Sequence, residues 1–199
     1  MRFVVLCLLL LTAAPAWALE SIGRVAAVQG AAEIIRADER LAVTPGIALE
    51  LDDRVVTSVS GRVLLQLDGG LTVTVAPGTE LRLAELRGAP AGLTAWLDLL
   101  RGLVRAVLTA PGTTNDVEVR TPIAVTSVRS TEWTVEHRPA HTAVFCRDGV
   151  VDVAAVGGTV TLAAGDGTDV RGDAPPSAPV AWGAPRIADT LARTSFARP

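Results

Sequence analysis

From Val63 to Leu162 apolar residues recur at every second position, and this period confines the chain to extended segments with one buried face. Val63-Leu65-Leu67, Leu71-Val73-Val75, Leu81-Leu83, Val117-Val119, Val144-Cys146, Val151-Val153 and Val160-Leu162 all follow it. Very short glycine-bearing breaks separate the segments, among them Asp68-Gly69-Gly70, Pro77-Gly78, Asp148-Gly149, Gly157-Gly158 and Ala164-Gly165. Such pairs supply the positive φ that tight turns demand. Between Ser21 and Val170 the best helical candidate is Leu93 to Leu108, which Gly102 interrupts and which equally reads as two strands about that glycine. The pattern predicts an all-β fold, either a β-sandwich of short hairpins or a solenoid, and by itself leaves the two open.

The amino terminus follows different rules. Met1 and Arg2 precede an apolar run from Phe3 to Leu11, then small residues at Ala16 and Ala18. This is the tripartite pattern of a secretory signal peptide, residues 1–18, cleaved before Leu19. The run is too short to cross a bilayer, which takes about 20 residues, so no transmembrane segment is expected after cleavage. Cys7 lies within the apolar run and does not suggest a lipid anchor. The mature chain is expected in the periplasm or secreted, and with Cys146 as its one cysteine it forms no intramolecular disulfide.

Charge narrows the partners. The net charge of −3 becomes more negative once Arg2 leaves, and the arginines are scattered singly among acids. A nucleic-acid binder needs a concentrated basic surface, so that class is excluded. Beyond Val170 the composition shifts: residues 171–199 are rich in Pro, Gly and Ala, and read as a linker or as a strap laid over the surface. Ile187 and Leu191, four apart with Phe196 beyond, fit either a short helix docking back on the domain, residues 19–170, or a disordered end.

Candidate chemistry is sparse. His137 and His141 have helical metal-pair spacing, but Pro139 between them and the flanking strands place them in a solvated hairpin turn. Cys146 is in phase with Val144 and Val151 and reads as core. Asp166-Gly167-Thr168-Asp169 lacks the remaining ligands of a calcium loop, and Arg171-Gly172-Asp173 is a chance tripeptide. No nucleophile elbow or phosphate loop occurs, and no carboxylate pair is marked by its spacing, so no catalytic, cofactor or metal residue is assigned and no enzyme is expected. Trp133 alternates with Thr131 and Val135 and reads as core. Trp96 and Trp182 remain as candidate partner contacts, because exposed tryptophan anchors proteins or stacks on sugars.

The order of the motifs resembles the FecR domain, the periplasmic part of bacterial regulators that sense loading of an outer-membrane transporter. The resemblance rests on Val25-x-x-Val28-x-Gly30, Pro45-Gly46-x-x-Leu49, Asp53-Arg54-Val55-Val56-Thr57 and Gly61-Arg62-Val63-Leu64-Leu65-Gln66-Leu67-Asp68-Gly69. It continues through Pro77-Gly78-x-x-Leu81, Arg101-Gly102-x-Val104, Val119-Arg120-Thr121-Pro122, Val128-Arg129-Ser130-Thr131-x-Trp133 and Cys146-x-Asp148-Gly149-x-Val151-x-Val153. Ser130 stands where the family usually has glycine. The resemblance implies a twisted β-solenoid and no catalysis. It points to a module that binds another envelope protein, accessory to sensing or signal transduction, with carbohydrate or cell-wall binding as the alternative. Classical members carry a transmembrane helix and an anti-sigma segment ahead of this domain, whereas here a cleavable leader is expected.

Overall fold

The chain crosses repeatedly between two sheets that close on one core. The structure is a computed structural model and describes residues 21–89, 92–109, 115–128 and 132–196. The leader expected at 1–18 and the Ser130 position lie outside these residues.

The path runs in chain order. β1 (Gly23–Gln29) belongs to sheet I, β2 (Ala32–Arg36) and β3 (Glu39–Ala42) to sheet II, β4 (Ala48–Leu49) to sheet I and β5 (Arg54–Thr57) to sheet II. β6 (Arg62–Leu67) and β7 (Leu71–Val75) form a hairpin in sheet I, after which β8 (Glu80–Ala89) enters sheet II. β9 (Gly92–Leu108) spans both: its first half pairs with β8 and its second half with β7. Then hairpins alternate: β10 (Asp116–Arg120) with β11 (Ala124–Val128) in sheet II, and β12 (Glu132–Arg138) with β13 (His141–Asp148) in sheet I. β14 (Val150–Ala155) with β15 (Gly158–Ala163) follows in sheet II, and β16 (Asp166–Arg171) with β17 (Val180–Ala181) in sheet I. The chain ends in helix α1 (Ala184–Thr194).

Sheet I thus has the order β4-β1-β6-β7-β9-β12-β13-β16-β17, and sheet II the order β3-β2-β5-β8-β9-β10-β11-β14-β15. Only β9 and β10 pair in parallel among the described strands. The fold is all-β. It advances hairpin by hairpin along a stack, as a solenoid does, while two facing sheets enclose the core, as in a sandwich.

The core follows from the alternation. Val25, Leu65, Val73, Val135, Val144 and Cys146 from sheet I meet Ile34, Val55, Leu81, Leu97, Val119, Val151 and Leu162 from sheet II in one continuous cluster, with Trp133 fully buried among them. Val144 and Cys146 therefore face Val151 and Val153 across the core, where the alternation had suggested neighbouring strands. At Gly102 the buried phase flips from Leu93, Ala95, Leu97 and Leu99 to Val104, Ala106 and Leu108. That flip carries β9 from one sheet to the other. Gly102 has φ +94, and a Cβ there would stand 2.5 Å from Thr79 Cα. The buried Thr79 hydroxyl accepts from Leu103 N–H at 3.0 Å, locking the corner. The helical candidate over Leu93 to Leu108 is thus one bent strand.

Candidate docking surface

Sheet II carries its polar residues outward, and around Trp96 they form a connected set of ion pairs. A bulge between Leu83 and Glu85 resets the phase of β8, so that Glu80, Arg82, Glu85 and Arg87 all point away from the core. Trp96 on β9 lies between Glu85 of β8 and Glu118 of β10. The Arg120 guanidinium covers the Trp96 ring, 4.0 Å from its centroid, and pairs with Glu118 at 2.6 Å. Around this centre Arg82 bridges Asp98 at 2.6 Å and Asp52 at 3.3 Å, Glu80 takes both Arg54 at 3.1 Å and Arg101 at 3.2 Å, and Arg87 meets Glu85 at 3.1 Å. Each exposed pair contributes at most about 1 kcal/mol. Their joint effect is to hold the arginines in place. Trp96 is half-buried, and its indole N–H has no acceptor among the described residues.

Trp182 has the opposite surroundings. It is 9% exposed, stacks on Phe145 with centroids 5.0 Å apart, and is capped by Arg186 at 3.5 Å. Gly167 makes room for it, since a Cβ there would lie 2.1 Å from the indole nitrogen. Trp182 thereby pins the tail to the outer face of sheet I. Arg186 bonds Asp169 at 2.7 Å, His141 Nε2 lies 2.9 Å from the same carboxylate, and Arg193 bonds Glu136 at 2.6 Å. Arg62 reaches from β6 to the Arg193 carbonyl at 3.0 Å and also bonds the Ser195 carbonyl. The hydrogen bond from Arg186, with help from His141, holds the Asp169 carboxyl below its ordinary range. Burial pushes Glu136 upward, but Arg193 and Arg138 together outweigh it and lower its pKa.

The other residues weighed in the sequence have structural places. Arg138 and His141 flank the two-residue Pro139-Ala140 turn between β12 and β13, and His137 stands one position further in, opposite Thr142. His137 is buried rather than solvated, with Nδ1 2.9 Å from the Thr142 hydroxyl, and burial lowers its pKa. Cys146 is fully buried. Asp166 to Asp169 form β16 rather than a loop, and no three His, Cys, Asp or Glu side chains converge as a metal site among the described residues.

Sequence reasoning singled out Trp96 but missed Arg120, Glu85 and Glu118. Their signal was present as Glu85-x-Arg87 and Glu118-x-Arg120, two residues apart and hence on one strand face.

A family profile described as FecR protein matches residues 53–152, from β5 into β14. The chain belongs to the FecR family. No curated protein sequence matches it. Two crystal structures titled as a "putative anti-sigma factor" from Parabacteroides distasonis ATCC 8503 resemble this FecR chain, with TM-scores of 0.59 and 0.58 and 16% identity in each case. The alignments cover 69% of this chain and 64% and 63% of those, just under two thirds of their length. At that identity the likeness concerns the fold. No helix among the described residues is long and apolar enough to cross a membrane.

Proposed function

We propose that this FecR-family chain is an exported, non-catalytic module that binds another envelope protein in the periplasm, as an accessory to sensing or signal transduction. The observation that carries the reading is the contrast between the two sheet faces. The tail lies across sheet I, while sheet II presents Trp96 under an ordered arginine-carboxylate lattice. An aromatic ring with a fixed guanidinium is the composition that binding hot spots favour, and the surrounding ion pairs give a partner a charged pattern to match. A sugar would stack on the ring face that Arg120 occupies, so the geometry favours a protein over a glycan.

Crosslinking in intact cells followed by affinity purification tests this. A specific envelope protein should be recovered, and Trp96→Ala should weaken its complex by roughly 30-fold, the scale of a 2 kcal/mol hot spot, without lowering the melting temperature. Recovery of no partner, together with tight glycan binding or substrate turnover by the purified domain, would overturn the reading. Export is checked separately: mass spectrometry of a periplasmic extract should show Leu19 as the first residue.

A further inference from the structure

Two sheets have four terminal edges, and three of them are protected here. At the amino-terminal end sheet I stops at the two-residue β4, and sheet II at β3, which is four residues long and carries Glu39 and Arg40. At the other end the strap covers β16. Ser177 N–H bonds the Asp169 carbonyl at 3.0 Å, the Thr168 hydroxyl bonds the Ser177 carbonyl at 2.7 Å, and β17 pairs with Asp166 and Gly167. Pro175, Pro176 and Pro179 in that strap have no N–H to offer a further strand. Short, charged and proline-bearing edges are the devices by which sheets avoid pairing with other chains.

The fourth edge is guarded at its ends, where Pro175 lies beside Gly157 and Gly158 and the Ala163 N–H donates to the Asp166 carboxylate at 3.4 Å, and less along its middle. β15, Gly158-Thr159-Val160-Thr161-Leu162-Ala163, is six residues long, uncharged and free of proline. It pairs with β14 on one side, and no described strand pairs with the other. The hairpins alternate between the sheets, so the next rung would fall beside β15, yet the chain leaves as α1 over sheet I.

We propose that a second copy of this chain fills that rung, with β15 pairing antiparallel to its twofold mate about Thr161. The side chains are self-complementary in this register. Thr161 meets Thr161 and Thr159 meets Ala163 on the outer face, while Val160, which packs on the core, meets the fully buried Leu162 and continues the core across the junction. Threonine and aliphatic pairs of this kind stabilise antiparallel ladders, and no like charges face each other. Asp152, which accepts from the Thr161 hydroxyl at 2.6 Å, lies on β14, so the two copies of Asp152 stand about three strand spacings apart. With the other edges protected, the contact closes as a dimer and does not propagate into a filament. Six paired residues bury less than the roughly 1,200 Å² of a standard interface, which places the contact in the size class of weak, transient complexes.

Sedimentation of the purified mature chain over a wide concentration range tests this. The expected result is a reversible dimer whose dissociation constant rises at least tenfold in Thr161→Lys, which sets two cations face to face at an exposed site, with an unchanged melting curve. Thr161→Cys should form a disulfide-linked dimer on mild oxidation, since directly opposed antiparallel residues have Cα atoms within disulfide reach. A cysteine at the fully exposed Val59 on the turn before β6 should not. A strictly monomeric parent whose Thr161→Cys variant forms no crosslinked dimer would overturn the proposal. So would a dimer indifferent to Thr161→Lys, which must use another surface. A monomer in which Thr161→Lys instead abolishes capture of another envelope protein would also overturn it, and would assign the edge to a partner's strand.

Discussion

Val151 has no exposed surface and sits in the core cluster with Val144, Cys146 and Val153. An aspartate there would bury a charge with no partner, at several kcal/mol against a total stability of about 5 to 15. Val151→Asp should therefore fail to fold, read as loss of the cooperative thermal transition, and a variant that melts like the parent would disprove this side chain's burial. In the folded parent, Cys146 should resist thiol reagents until denaturant is added. Gly102→Ala tests the corner of β9. It joins a left-handed φ of +94 to a contact of 2.5 Å with the Thr79 backbone, so a loss of about 2 kcal/mol or more is expected in denaturant titration. The alternation gave the facing of Trp96 and Trp133 directly. It did not give Arg120 over Trp96, because that contact needs the parallel register of β9 and β10, which sets Glu118 beside Trp96.

Helix α1 has only 11 residues and no side-chain cap at its amino terminus, and isolated helices of this length are marginal in water. Docking holds it: Ile187, Thr190, Leu191 and Thr194 turn inward, Trp182 anchors the approach, and Arg186 and Arg193 tie it to Asp169 and Glu136. Removing the anchor with Trp182→Ala should strip hydrogen-exchange protection from residues 180–194 while the core strands keep theirs. The same tie responds to acid. Both carboxylates have pKa values below their ordinary range of about 4 when folded, so their contribution is complete above that range and is lost as pH falls through the lowered values. His137 acts in the same direction, since its pKa is depressed by burial and then by the nearby His141. Its contribution declines as pH drops below about 6.5. Hydrogen exchange against pH should show the tail loosening below about pH 4 before the core opens. A tail that stays protected down to the global acid transition would refute this order.

At the scale of the molecule, the stretch matched by the family profile is smaller than the folding unit. Residues 53–152 include neither β1, which pairs with β6, nor β2, which pairs with β5, and they omit Val25, Ile34, Leu49 and Leu162 from the core. A fragment limited to 53–152 should lack a cooperative unfolding transition and bind hydrophobic dyes, whereas a chain of residues 19–199 should melt in a single step. A cooperative fragment would show that the outer strands are dispensable. The sheets grow by adding hairpins on each side of β9, so both flanks bury surface that the central strands would otherwise expose.

Local sequence pattern was enough for the all-β class, the positions of most inward residues and the burial of Trp133 and Cys146, and it marked the change of composition beyond Val170 while leaving the order of the tail open. These depend on period-two alternation and on glycine and proline, which act within a few residues of chain. It also carried the family, through the order of many weak motifs. The alternation of hairpins between two sheets, the bend of β9 at Gly102 that serves both, and the burial of His137 depend on contacts between distant parts of the chain. The different surroundings of Trp96 and Trp182 depend on such contacts as well. One tryptophan is half-buried beneath an arginine and the other is sealed between the tail and sheet I, because each environment is built by strands and side chains distant in sequence. Local pattern fixes which face of a strand is apolar, and only packing determines what comes to lie against the other.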